Sequence, residues 1–211
     1  MFNETKANNK DYILKAIEKS GLALKFASPE LQNDRDVVLK AVEKDGYALQ
    51  FASPELRNDK DIVLKAIKRG RALILKYVSS EELKNDKDFM LKAIESDWFA
   101  LMYASDELRN EKDFVLKAVE KNGYALFLAS HALKNDKDVV LKAIGQNWHA
   151  LKYASSELRN DKDVVLVAVS QNIRALEYAS EELADDEDIK AVVESYFDDE
   201  MDNDDINKIV I

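Results

Sequence analysis

Apolar and polar positions alternate along this chain in blocks that repeat every 25 residues. In one block, Val38, Ala41 and Val42 fall on one face, with Val37 and Leu39 flanking it and Lys40 and Glu43 pointing away. That spacing predicts an amphipathic helix of about three turns. Tyr47-Ala48-Leu49-Gln50-Phe51-Ala52 predicts a second, shorter helix, and Ser53-Pro54-Glu55-Leu56 a capped turn, since Pro is tolerated at the first helical position. The same block recurs at Asn33–Arg57, Asn85–Arg109, Asn110–Lys134, Asn135–Arg159 and Asn160–Ala184. A first copy runs from near Asn8 to Gln32, and Asn58–Lys84 is a copy with two extra residues. These are seven copies, with a partial eighth from Asp185.

Aligning the copies shows which positions the architecture requires. Leu14, Leu39, Leu64, Leu91, Leu116, Leu141 and Leu166 form one invariant row, and Ala16, Ala41, Ala66, Ala93, Ala118, Ala143 and Ala168 another. Leu24, Leu49, Leu73, Leu101, Leu126, Leu151 and Leu176 make a third, and Leu31, Leu56, Leu83, Leu108, Leu133, Leu158 and Leu183 a fourth. Leucine in every copy predicts a core position; alanine in every copy predicts a close backbone approach. Asn33 is the expected cap of the first helix, with Asp36 reaching back. Asp36 and Lys40 have the favourable i,i+4 order, as do Asp61/Lys65, Asp88/Lys92, Asp113/Lys117 and Asp138/Lys142. The helix should stop near Asp45-Gly46. Because Trp98, Trp148 and Ile173 replace that glycine, the preceding Asp or Asn is expected to take a left-handed conformation.

Neither helix can bury its apolar face alone, so stacked neighbours must supply the core. No stretch alternates as a strand would. The fold class is therefore all-α: an α-solenoid of seven two-helix repeats over 1–184, followed by an acidic capping segment over 185–211. Asp198–Asp205 reads as a solvated loop, and Ile206–Ile211 as a segment folding back over the last face.

Charge sharpens this division. The chain has 41 acids against 31 Lys and Arg, a net of −10. Residues 185–211 hold eleven acids and only Lys190 and Lys208, so the body is nearly neutral. That argues against a uniformly acidic nucleic-acid mimic. There is no cysteine, hence no disulfide or thiolate metal site. No apolar run approaches the roughly 20 residues a bilayer needs, and residues 1–10 lack the apolar core of a leader. A soluble, cytoplasmic protein without a membrane partner is the expectation.

The unit Asn-Asp-Lys-Asp-Val-Val-Leu-Lys-Ala…Asn-Gly-Tyr-Ala-Leu…Ala-Ser…Glu-Leu-Arg, clearest at Asn58–Ala66, Asn110–Ser130 and Asn135–Arg159, resembles the repeats of a family catalogued as domain of unknown function 4116. The resemblance covers roughly Asn8 to Ala184, with a family unit spanning about two copies. It implies a helical repeat and no activity.

Candidate chemistry is sparse. His131 and His149 occupy different repeat positions, with no converging ligands for a metal. The serine row Ser28, Ser53, Ser79, Ser105, Ser130, Ser155 and Ser180 fits capping better than nucleophilic catalysis. Asn-Asp-Lys-Asp interposes a cation where calcium would need oxygens. Asp198, Glu200 and Asp202 imitate part of an EF-hand loop but lack its glycine and its final glutamate. No cofactor, no metal and no catalytic residue is expected. The cationic rows Arg35, Lys60, Lys87, Lys112, Lys137, Lys162 and Arg57, Lys84, Arg109, Lys134, Arg159 lie among acids, so nucleic acid is not an expected partner.

Binding should use positions that vary on the fixed frame. One row is Leu22, Tyr47, Arg71, Phe99, Tyr124, His149 and Arg174; another is Lys25, Gln50, Lys76, Met102, Phe127, Lys152 and Glu177. Tyr47, Trp98, Phe99, Tyr124, Trp148 and His149 form the candidate surface, because aromatic residues anchor protein interfaces; Trp98, Trp148 and Phe99 equally fit as packing between copies. The irregular stretch Arg69–Leu75 marks either a bend or a functional surface. The expected function is a non-catalytic protein–protein interaction scaffold with another protein as partner. The alternative is an acidic inhibitor or decoy acting on a nucleic-acid enzyme.

Overall fold

The structure, a computed structural model, describes residues 4–200. Its described residues form helices joined by turns and short extended links, with no strand among them. Packing divides the chain into two compact units, residues 1–114 and 115–211. In the first, the long helices Lys10–Lys19, Arg35–Lys44, Lys60–Gly70 and Lys87–Ser96 pack in sequence, each on the next. In the second, Lys137–Gln146, Lys162–Val169 and Glu187–Glu200 do the same. Each unit is thus an all-α tandem-repeat segment of the solenoid kind, with a second layer of short helices beside the long ones.

That second layer is built of 3-10 helices. Gly21–Phe26, Gly46–Phe51, Ala72–Tyr77 and Trp98–Tyr103 lie in the first unit; Gly123–Leu128, Trp148–Tyr153 and Ile173–Tyr178 lie in the second. Each is six residues long and closed by i→i+3 bonds such as Ala48 N–H to Asp45 C=O at 2.9 Å. Six residues rising about 2.0 Å each reach about 12 Å, against about 9 Å for an α-helix, which suits a short link across a helix layer. The linking turn is a short helix of its own, as in Pro29–Gln32, Asp106–Arg109 and Ser156–Arg159. A copy therefore contains three helical elements, one long and two short, one more than the repeat pattern implies.

Apart from Ala16, Leu176 and Leu183 in the first and last copies, which are half-buried, the core follows the rows with one reassignment and one exception. Ala41, Ala66, Ala93, Ala118, Ala143 and Ala168 are fully buried, as are Leu24, Leu49, Leu101, Leu126 and Leu151. In the long third copy the equivalent of Leu49 is Leu75, which is fully buried, while Leu73 is 44% exposed. One of the two extra residues lengthens the helix Lys60–Gly70, which shifts the register. The exception is the row from Leu14 to Leu166, half-buried in all seven copies. The core is filled instead by the two positions before it, such as Val37 and Val38. A helix only three turns long, with the next helix on one side and the 3-10 layer on the other, leaves its third apolar position at the rim.

The helix starts are corrected too. Asp34, not Asn33, caps the helix Arg35–Lys44, accepting the N–H groups of Asp36 and Val37. Asp59, Asp86, Asp136 and Asp161 act alike. The asparagine closes the preceding short helix, and its Oδ1 accepts from the serine twenty residues on, at the far end of the same copy: Ser53 to Asn33 at 2.5 Å, Ser105 to Asn85 at 2.6 Å, and Ser155 to Asn135. The serines do cap, accepting the N–H of Leu56, Leu108, Leu133 and Leu158. In the third copy Ser80 takes that part, with Ser79 bonded to Asn58.

The helix ends are not left-handed. Asp45, Asp97, Asn122, Asn147 and Asn172 are extended, with φ between −150° and −163°. Each instead caps the 3-10 helix that follows, as Asp45 Oδ1 accepts Tyr47 N–H at 2.9 Å. Gly46 is glycine for space. A Cβ there would stand 2.2 Å from the carbonyl oxygen of Ala66 in the next copy; at Gly21 and Gly123 it would stand 2.4 and 2.3 Å from those of Ala41 and Ala143. The one positive φ among the described residues is Arg71, at 65°.

The helix Glu187–Glu200 runs through Asp198, so the segment read as a loop begins as helix. Residues 201–211 lie outside the described residues, and with them the proposed fold-back.

Candidate interaction surface

Three residues per turn make i and i+3 eclipse in a 3-10 helix. Ala48 and Leu49 are therefore buried together, while Tyr47 and Gln50 share an outward ridge. Phe99/Met102, Tyr124/Phe127, His149/Lys152 and Arg174/Glu177 are the same pair in other copies. The two variable rows are thus one ridge in each unit. In the third copy the ridge pair is Leu73 and Lys76; Arg71 sits at the capping position of Asp45, not at that of Tyr47. Six large apolar residues are exposed among those described, and four belong to 3-10 helices: Phe26 (40%), Leu73 (44%), Met102 (49%) and Phe127 (54%).

In the first unit, Trp98 meets Phe99 edge-on, ring centres 5.6 Å apart. Burial pushes Tyr103 above the usual tyrosine range, with nearby Lys76 opposing the shift and Tyr47 adding to it. Lys25 and Lys76 place their amines 4.6 and 4.8 Å from the rings of Phe26 and Tyr77. Behind the ridge, Asp97 joins two copies. It caps Phe99 N–H, and its other oxygen accepts Ala72 N–H at 3.0 Å from the copy before. Arg71 Nε lies 3.7 Å from the same carboxylate. Arg71 has φ 65° and ψ 178°, a region essentially confined to glycine.

In the second unit, Tyr124, Trp148 and His149 come together. Tyr124 lies 6.1 Å from His149, which stacks on Trp148 at 3.5 Å. Trp148 also stacks toward Tyr178 of the next copy at 6.1 Å, so this tryptophan packs between copies. Tyr153 joins Tyr124 at 6.1 Å and Phe127 at 5.2 Å. Tyr103, Tyr153 and Tyr178 are the members that the repeat comparison passes over. Their row is aromatic in nearly every copy, and constancy reads as core; the signal was the hydroxyl on a residue otherwise expected to be buried.

The long-helix edge is different in kind. Lys10 pairs with Asp34 at 2.6 Å, Lys60 with Asp86, Lys87 with Glu111, Lys137 with Asp161 at 2.9 Å, and Lys162 with Asp186 at 3.0 Å. Arg35 reaches Asp59 and Asp61, while Lys65 reaches Glu43 and Lys142 reaches Glu120. These contacts join neighbouring copies, where the repeat pattern pointed to Asp36 with Lys40 inside one helix. Hydrogen bonds from the lysines hold Asp34, Asp86, Asp161 and Asp186 below the usual carboxylate range, and the same bonds raise Lys10, Lys60, Lys137 and Lys162. In the other cationic row, Arg57, Arg109 and Arg159 are half-buried with their Nε atoms out of solvent.

Among the described residues no cluster of three or more His, Asp or Glu is placed to hold a metal, and no helix is long and apolar enough to cross a membrane. Neither the curated proteins nor the solved structures hold a match to the chain. A family described as Domain of unknown function (DUF4116) does match, in six overlapping stretches: residues 9–57, 34–84, 59–109, 86–134, 111–159 and 136–184. Each stretch spans two copies and carries the capping aspartate, the buried alanine and the 3-10 helix described above. On that continuous match from residue 9 to residue 184, the chain belongs to the DUF4116 family.

Proposed function

We propose that this chain is a non-catalytic protein–protein interaction scaffold whose 3-10 ridges are the binding face, with another protein as its partner. The carrying observation is where apolar surface is left uncovered. Leu73, Met102 and Phe127 stand out on helices whose inward positions are fully buried. They occupy positions that change from copy to copy while the frame does not. Within each unit, exposed apolar side chains gathered on the ridge mark an interaction site more often than scattered ones do. The paired charges of the long-helix edge support the same reading, since they are already engaged in holding copies together.

The test compares the two faces. A photo-reactive amino acid is placed at Met102 or Phe127 on the ridge, and at Lys40 or Lys92 on the long helices. The ridge positions should cross-link one discrete protein in native lysate, and the helix positions should not. Equal yields from both faces, or none from the ridge, would refute the assignment.

A further inference from the structure

We propose that the aromatic band of residues 124–178 docks an acidic peptide segment bearing aromatic or large aliphatic side chains; this rests on the scaffold reading and names the chemistry of its partner. The band is a continuous path of rings. Phe127 touches Tyr153 (5.2 Å), Tyr153 touches Tyr124 (6.1 Å), Tyr124 touches His149 (6.1 Å), and His149 stacks on Trp148, which faces Tyr178 (6.1 Å). Phe127 is 54% exposed at one end of the path, and the other rings are half-buried. Such a strip offers an apolar seat with polar tips rather than a closed cavity.

Cations border it. Lys134 sits 5.6 Å from the centre of the Phe127 ring and Lys152 sits 6.0 Å from that of Tyr178. Arg174 is exposed on the last of the three 3-10 helices. Lys152 and Arg174 have no carboxylate partner among the described residues, whereas Lys137, Lys142, Lys162 and Lys190 of the same unit each have one. Glu177 is the one acid on those three helices. The chain has ten more acids than Lys and Arg together, and residues 185–211 are its most acidic stretch. A cationic, aromatic strip in such a chain is the place an acidic ligand is drawn to and a basic one is not. A peptide fits better than a nucleic-acid strand. Phosphate tracking needs a row of several cations and no competing negative field, and base stacking needs open ring faces. Here Trp148 and His149 already cover each other at 3.5 Å.

The test uses the full chain carrying Trp98→Phe, which leaves Trp148 as its sole tryptophan. It is titrated with a short synthetic peptide alternating Asp and Glu with Phe and Leu, and Trp148 emission is followed. A saturable change is expected. Lys152→Glu combined with Arg174→Glu should weaken it about tenfold or more, and Phe127→Ala should weaken it too. Lys40→Glu, on a long helix of the first unit, should leave it unchanged, and circular dichroism should be the same for every variant. The proposal is overturned if no saturable change occurs, if a peptide with Lys in place of the acids binds as well, or if oligothymidylate binds more tightly and displaces the peptide. If the peptide fails while Phe127 still cross-links a discrete protein, the acidic-peptide assignment falls and the scaffold stands; if both fail, both fall.

Discussion

Along the long-helix edge, cations meet carboxylates of the next copy: Lys10 meets Asp34, Lys60 meets Asp86, Lys137 meets Asp161. Along the 3-10 ridge, Lys25, Lys76 and Lys152 meet ring faces instead. The same residue type is used on both sides, yet on one side its charge is answered within the protein and on the other it is left for solvent or a partner. The edge hardly varies because each of its residues has a neighbour to satisfy. The ridge varies because only its buried half does. Internal constancy therefore maps contacts between copies, and internal variation maps surface.

The strongest way to break this contrast is to strike where ridge and edge meet. Gly123→Ala would put a Cβ 2.3 Å from the backbone oxygen of Ala143, so the backbone of two copies would have to shift. A loss of about 3 kcal/mol is expected, read as a lower urea midpoint; an unchanged midpoint would show that the layers do not approach as described. Asp97→Ala removes the acceptor of both Phe99 N–H and Ala72 N–H. It should cost about 2 kcal/mol, with Asp97→Asn milder because an amide oxygen can still cap Phe99.

Arg71→Gly should move stability the other way. Releasing the strain of a φ of 65° outweighs the added freedom of glycine in the unfolded chain. A gain of about 1 kcal/mol is expected, and a loss would mean that the Arg71–Asp97 contact matters more than the backbone. The smallest stability change belongs to the ridge. Phe127→Ser and Met102→Ser should stay within about 0.5 kcal/mol of the parent while abolishing the ridge cross-links. Any larger destabilisation would make those side chains packing rather than surface.

Acid and base sharpen the comparison from the other side. The edge carboxylates have lowered values, so their contribution is complete above the unfolded value of about 4 and is lost as pH falls through the lower folded values. The edge lysines have raised values, so theirs is complete below about 10.4 and is lost as pH rises through the raised ones. The melting temperature should be flat from about pH 5 to about 9.5 and fall on both sides. Added salt should lower the plateau by screening exposed pairs.

Repetition made most of the architecture legible in the sequence. A 25-residue period, alanine in every copy, and leucine where the layers meet determine a stacked all-α array, because each unit's apolar face has no other place to go. The serine caps and the ridge rows were legible for the same reason. What the tertiary structure decided were contacts between residues far apart in the chain. Asp34 and not Asn33 caps the long helix, because Asn33 is taken by Ser53, twenty residues on. Gly46 answers to a carbonyl twenty residues ahead rather than to its own φ. Leu75 and not Leu73 fills the core, because an extra residue was absorbed in the helix before the register was set. Local patterning determines which faces are apolar; which atoms meet across two copies depends on distances that exist only once the copies have stacked.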